Sequence, residues 1–537
     1  MNNYQAQMNP FLRWIERTGN RLPDPVFIFL YLTLLLIAIS VVFQLIGLSA
    51  LHPTQVDASG NPVEIFAASL LSAENIQRLW VDMPKTFTHF HPLGYVLVVM
   101  LGAGVAERSG LFAAAMSAAV RSSPKALLTP VVALVAMVGN HAADAGYVVL
   151  IPLAGVLFAA AGRHPLAGIA AAFAGVSGGF SANISPGQLD ALLFGITEEA
   201  VQASALDPSW NSNIAGNAYF IFAMTFLYLP IIWYVTDKII EPGLGTWQPS
   251  EEDAEAYGDG SENKPLTEEQ RLGLRHAGLA ALAVVAAWAM MTLGPNTPLI
   301  NEEACAPGTI EAGSCSIHTT YRPFYKSLVA GFFVLFLASG WAFGAAAKTI
   351  NNHRDLVDMM AESMKTLGYY LVLAFAAAHF VAMFNWSNLG LISAVHGAAA
   401  IKSTGLPLPI VLGLIVLFSG LLNLFIGSAS AKWALMAPVL VPMLMLLGVS
   451  PEGATAAYRV GDSATNIITP LMVYFPLILV FAQRWKSDFG LGSLTAMMIP
   501  YSIWLLISGV TLMIAWVYLG WPLGPDAAVG YQLPTNP

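Results

Sequence analysis

Charged side chains are scarce here: Asp, Glu, Lys and Arg make up 10% of the 537 residues, where a soluble chain carries about 25%. A soluble protein of this length would divide into several domains, each wrapped in a polar shell. Too few charges exist for those shells, so lipid must cover much of the surface. Basic residues are the scarcer sign, leaving a formal net charge of −9. No basic face remains to neutralise phosphates, which excludes a nucleic-acid partner. Cysteine is nearly absent. Cys305 and Cys315 are the only two, both in one polar loop, and their meaning depends on that loop's compartment. What fills the chain instead is apolar: 56% hydrophobic residues and a mean hydropathy of +0.64.

The first long apolar run, 25–48, follows Arg13, Arg17 and Arg21. A helix of about 24 residues can cross a hydrocarbon core of about 30 Å, and the run is too long for a signal sequence. It reads as a retained span. The 10–20 stretch before it, with Phe11, Trp14 and Ile15, suits an interfacial helix or a plain solvated arm. Further runs near 92–107, 165–199, 213–237, 275–294, 327–347, 366–385, 452–482 and 494–520 bring the expected spans to nine. Two more, roughly 125–161 and 406–447, are too long for one crossing and are interrupted midway. The interruptions are Gly139-Asn140-His141-Ala142-Ala143-Asp144-Ala145-Gly146 and Gly427-Ser428-Ala429-Ser430-Ala431-Lys432-Trp433. Non-helical backbone at membrane depth must face protein or water, so each is expected to be the tip of a re-entrant hairpin.

The distribution of basic residues sets an orientation. With the N-terminus inside and each hairpin returning to its own side, 16 of the 23 Lys and Arg are cytoplasmic and five are outside; Lys432 and Arg459 are left at membrane depth. Positive charge favours the inside in this way. The chain then divides into a cytoplasmic arm 1–24, a first membrane half 25–240, a linker 241–273, and a second half 274–537 that ends outside. The linker region carries eight acids, from Glu251 to Glu269, and reads as a solvated tether. The 295–325 loop is expected in the oxidising periplasm, where Cys305 and Cys315 would form a structural disulfide.

The two broken hairpins are followed by matching segments. After the first come His164-Pro165, Ala171-Ala172-Phe173 and Ser181-Ala182-Asn183-Ile184-Ser185-Pro186. After the second come Ser450-Pro451, Ala456-Ala457-Tyr458 and Ser463-Ala464-Thr465-Asn466-Ile467-Ile468-Thr469-Pro470. One hairpin opens from inside and the other from outside, so the repeat is inverted. Interrupted segments at matching places in two halves point to the binding site of a transporter.

Ionisable groups at membrane depth are expensive and usually functional. Arg459, Asp462 and Asn466 share a helical face that runs into the break at Pro470, with Ser463 beside them. Arg459 offers a planar fork for a carboxylate; Asp462 either orients it or ligates a cation, and an ion pair that only fastens helices is the alternative. Asp190, four residues past the Pro186 break, is a cation ligand, a proton carrier or a helix cap. His141 and Asp144 flank the first tip, and His141 is either titratable or structural. No third ligand stands at useful spacing, so a metal site there is not expected. Asn140, Ser181, Ser428, Ser463 and Thr465 supply oxygens near the tips and breaks, suited to a coupling Na⁺, while Asp190 and Asp462 keep H⁺ open. Trp433 offers a flat face to an aromatic substrate or merely packs; Lys432 snorkels or binds.

The two tip sequences, Ser177-Gly178-Gly179-Phe180-Ser181-Ala182-Asn183, and the run from Tyr458 to Leu471 closely resemble the AbgT (p-aminobenzoyl-glutamate transporter) family over roughly residues 10–520. The resemblance implies an all-α polytopic inner-membrane protein. It would have nine transmembrane helices and two re-entrant hairpins per subunit, a bowl-shaped homodimer, and an elevator mechanism. It implies transport of p-aminobenzoyl-glutamate, a folate breakdown product, and a link to sulfonamide efflux. It places functional residues at Asp190, Ser430, Trp433, Pro451, Arg459, Asp462 and Pro470. A dianion with an aromatic ring suits Arg459, Asn183, Asn466 and Trp433. A carrier of another dicarboxylate is the alternative within the class. Outside it stand a channel and an intramembrane serine hydrolase, the latter resting on Gly175-Val176-Ser177-Gly178 with His379 or His396 as base.

Overall fold

Proline opens several of the helices, and glycine turns the chain at some of their ends. The computed structural model of the chain describes residues 23–57, 59, 61–142, 146–207, 210, 212–247, 266–294, 297–301, 320–469 and 471–533. The arm 1–22, Asp144, the linker centre, Cys305, Cys315 and Pro470 lie outside the described residues. Asp24 caps the first helix, Pro25–Leu45, its Oδ1 accepting from Val26 N at 2.8 Å. The chain bends by 61° between His91–Arg108 and Leu111–Arg121. Gly110 makes that bend, at φ +90°, in a conformation that strains other residues.

Seven continuous helices among the described residues are long and apolar enough to cross a bilayer: Pro25–Leu45, Ala218–Leu244, Glu268–Thr292, Leu328–Ala346, Gly368–Trp386, Ala429–Leu446 and Leu491–Leu519. The bent pair makes an eighth. The difference from nine has a physical reason. Two expected spans are broken helices. The first runs as Pro165–Phe173, a wide turn at Ala174–Gly178, and then Gln188–Ser204. The second runs as Pro451–Asn466 and then Phe475–Gln483. Conversely, Ala429–Leu446 is an arm of the second hairpin and is itself long enough to cross.

The hairpins enter from opposite ends. At the base of the first, Arg163 meets Asp237 at 2.6 Å, Glu241, and Thr129 Oγ1 at 2.7 Å. At the base of the second, Ser450 N donates to Val529 O at 2.9 Å. That end also holds Arg322 on Asp526 at 3.3 Å and Tyr531 on Asp207 at 2.5 Å. The segment after the last helix therefore lies at the end where the second hairpin opens.

Two features depart from the expected outline. A two-stranded antiparallel ribbon, Ser49–Val56 against Pro62–Phe66, interrupts the all-helical pattern. The 241–273 segment is helical at both ends: Glu241–Leu244 extends the preceding helix, and Glu268–Thr292 starts at a reciprocal Thr267/Gln270 cap. Pro451–Asn466, though rich in polar residues, has all 16 of its residues buried. Its polar groups bond one another and neighbouring helices, which is the condition for burying them.

Candidate functional site

Each hairpin tip sits against the break of its own half. Beyond Leu128–Val138 the first tip turns tightly over Gly139–Ala142. His141 Nε2 lies 3.2 Å from Ser185 Oγ, and Gln188 Nε2 donates to Asn140 O at 3.3 Å. A Cβ on Gly187 would fall 2.3 Å from His141 Nδ1, so this approach requires glycine. At the second tip Ser428 Oγ accepts from Ala431 N at 3.3 Å and starts the Ala429–Leu446 helix. Asn423, just before that tip, donates from Nδ2 to Asn466 Oδ1 at 2.8 Å, Thr465 Oγ1 at 2.9 Å and Asp462 O at 2.7 Å. The halves are tied together where Ser181 N donates to Ser463 Oγ at 2.7 Å.

Between the tips lies a cavity of about 340 Å³, within the range of small-molecule sites. Asn140 and Tyr147 line it from the first hairpin, Gly427 and Ala429 from the second, Gln188, Asn466 and Tyr474 from the breaks, and Tyr370 from a neighbouring helix. Tyr147 and Tyr474 stack at 4.4 Å with an 11° interplanar angle. Tyr370 Oη and Gln188 Oε1 are buried with no partner among the described residues. Buried polar atoms in that state call for a ligand or a strain account. Two helices, Gln188–Ser204 and Ala429–Leu446, begin at this cavity. Helix N-termini carry partial positive charge and unpaired N–H groups, so they attract anions.

The charged residues expected to face substrate lie behind this wall. Arg459 does not pair with Asp462 on its own helix. Its Nη1 lies 2.8 Å from Asp190 Oδ1 and 3.3 Å from Asn217 Oδ1, in a fully buried pair. Asp190 also caps its helix, Oδ2 accepting from Gly187 N at 2.8 Å. Asp462 pairs with Lys432, which is buried and also bonds Asn423 Oδ1. Lys432 therefore does not snorkel. Its partners are internal and its ammonium reaches no solvent.

Trp433 is equally enclosed. Tyr458 stacks on it at 4.6 Å, and its Nε1 donates to Thr197 Oγ1 at 3.0 Å and Leu193 O at 3.2 Å. Of the residues proposed to hold substrate, Asn466 lines the cavity, while Trp433, Arg459, Asp462 and Asp190 pack beneath it. Asn183 is buried, its Oδ1 accepting from Ile184 N at 3.2 Å. Ser181 Oγ is buried and has no partner among the described residues. Ser428 and Ser430 meet at 3.2 Å on the second tip. Thr465 donates to Gly461 O at 2.9 Å within its helix. Pro186 stands in the first break, and Pro451 begins the helix that Ser450 caps.

Sequence reasoning missed the cavity tyrosines Tyr147, Tyr370 and Tyr474, and the amides Gln188, Asn217 and Asn423. Asn423 carried a signal, being the last polar residue before the second tip in an apolar run. The tyrosines had none. For the hydrolase reading, Ser177 Oγ donates to Met472 Sδ at 3.3 Å, His379 Nδ1 meets Phe375 O at 2.7 Å, and His396 Nε2 meets Ser49 O at 3.1 Å. The serine and the histidines have separate partners and form no dyad.

Comparison with known proteins agrees with this architecture. A family model for AbgT transporters matches residues 10–531. The p-aminobenzoyl-glutamate transport protein of Escherichia coli K12 is 36% identical over 522 residues, 97% of each chain. The crystal structure of the Alcanivorax borkumensis YdaH transporter, described as having an unusual topology, is 40% identical with a TM-score of 0.83, over 94% of this chain and 100% of that one. The Neisseria gonorrhoeae MtrF structure, described as illuminating a class of antimetabolite efflux pumps, is 42% identical with a TM-score of 0.86, over 96% and 100%. These relatives are transport proteins, not enzymes.

Proposed function

The chain belongs to the AbgT transporter family, and from that premise we propose that this multi-pass membrane transporter is a secondary carrier of p-aminobenzoyl-glutamate that binds it in the cavity between the hairpin tips. The observation that carries the reading is the cavity itself. Its aromatic wall suits an aminobenzoyl ring, its two helix N-termini suit carboxylates, and its unpartnered Tyr370 and Gln188 groups suit an amide or aniline. The name of the Escherichia coli relative supports this substrate, and the efflux description of MtrF supports export of related antimetabolites such as sulfonamides. Arg459 and Asp190 hold the wall beneath the cavity in the proposed resting arrangement, and elevator-type movement of the paired hairpins would bring the cavity to either face. Coupling is to a cation, Na⁺ or H⁺, and the working unit is a homodimer in the bacterial inner membrane. The basic asymmetry supports a cytoplasmic N-terminus, which one-sided reporter fusions would test.

Uptake of labelled p-aminobenzoyl-glutamate by proteoliposomes, under separately imposed Na⁺ and H⁺ gradients, tests the reading. Saturable accumulation driven by one gradient is expected. Flux that never saturates, or no accumulation under either gradient in both orientations, overturns it.

A further inference from the structure

Lys432 occupies a position that helix electrostatics disfavour. It lies in the first turn of Ala429–Leu446, at the positive end of that helix, and is fully buried. Such a placement persists only where something compensates it. The compensation is a nest of oxygens. Asp462 Oδ1 and Asn423 Oδ1 both receive the ammonium. Asn423 is held so that only Oδ1 turns to it, because its Nδ2 is committed to Asp462 O, Thr465 Oγ1 and Asn466 Oδ1 at 2.7–2.9 Å. A carboxylate and an amide oxygen are ligand types that also hold a hard cation; the Asp462 carbonyl and the Thr465 hydroxyl beside them bond Asn423 Nδ2, not the ammonium. Here that position carries a covalently attached cation.

We infer that the Lys432 ammonium is a built-in substitute for a bound metal cation at the second hairpin tip, so that this tip closes on the Pro451–Asn466 helix without Na⁺. The first tip, Gly139 to Gly146, carries no lysine. The two halves of the inverted repeat are thus unequal: any exchangeable metal cation would act at the first tip. This rests on the reading of the chain as a cation-coupled carrier, but its test needs no substrate.

The test measures thermal unfolding of purified wild type, Lys432→Ala, Asp462→Asn and the double variant Lys432→Met/Asp462→Asn. Each is run in choline chloride, sodium chloride and methylammonium chloride. The expected result is a lowered midpoint for Lys432→Ala in choline, with at least half the loss recovered by Na⁺ or methylammonium entering the vacated nest. The double variant, which has no unpaired charge, should fold and recover nothing with either cation. Any Na⁺ effect on wild type should survive in Asp462→Asn. Lys432→Ala that gains no more from either cation than the double variant overturns the inference, because Lys432 is then only an ion-pair partner. If Lys432→Ala does not fold, the wild-type arm decides: Na⁺ stabilisation that disappears in Asp462→Asn overturns the inference, and stabilisation that persists, or no Na⁺ effect at all, supports it. A protein that behaves as expected here yet accumulates no p-aminobenzoyl-glutamate fails the proposed function alone.

Discussion

Removing the Asp190 carboxylate should destabilise the protein more than removing the guanidinium it meets. In Asp190→Ala, Arg459 keeps one neutral acceptor, Asn217 Oδ1 at 3.3 Å, and its Nε has no partner among the described residues. An uncompensated buried cation of this kind costs about 3–5 kcal/mol, and loss of the bond to Gly187 N adds to it. In Arg459→Met, the Asp190 anion keeps the Gly187 N–H at 2.8 Å and stays in the first turn of Gln188–Ser204. That hydrogen bond to a charged group is worth about 1.5–3 kcal/mol and the helix dipole about 0.3–1 kcal/mol, so the net cost should fall to about 1–3 kcal/mol. The double variant removes both charges and should recover to within about 1–2 kcal/mol of wild type. SDS-titrated unfolding in mixed micelles, followed by tryptophan fluorescence, measures all three. Equal costs for the two single changes, or a double variant as unstable as Asp190→Ala, would refute the reasoning. Arg459→Lys separates stability from function, because Arg459 bonds Asp190 and Asn217 through Nη1 alone and a lysine keeps the charge there. Unfolding should barely move and binding of p-aminobenzoyl-glutamate should stay near wild type, whereas a strong loss of binding would put Arg459 against the substrate. Wild-type binding of p-aminobenzoyl-glutamate by Arg459→Lys would leave Arg459 as an ion-pair residue only.

Tyr370→Phe removes a buried hydroxyl without a partner among the described residues, so stability should hold or rise slightly, while affinity for p-aminobenzoyl-glutamate drops about fivefold, or about 1 kcal/mol, by calorimetry. Gly461→Ala would put a Cβ 2.1 Å from Val416 O, a backbone atom that cannot give way; destabilisation of about 3 kcal/mol and a collapse in folded yield are expected. A Cys305–Cys315 disulfide predicts an intact mass without alkyl adducts in unreduced protein, and its loss should cost about 2–3 kcal/mol without abolishing transport.

Arg459 and Asp462 show where sequence reading ends. Three positions apart on one helix, they point about 60° from each other, and nothing local reveals that each is claimed by a different element. Asp190 lies 269 positions from Arg459, and Lys432 lies 30 from Asp462. Trp433 is similar: its aromatic face was legible, and the Tyr458 ring that covers it was not. Tyr147, Tyr370 and Tyr474 come from three separate segments and form one wall only after the chain packs.

The sequence alone determined what depends on neighbours along the chain. Apolar length set the membrane class, glycine and proline set the breaks and tips, matched motifs set the inverted repeat, and charges at depth marked the elements that matter. Tertiary structure decided what depends on neighbours across the chain: which charge meets which, which side chains face the cavity, and which are sealed beneath it. The reason is that hydropathy and backbone conformation are properties of a segment. An ion pair or a cavity wall exists only where helices distant in sequence come within a few ångströms.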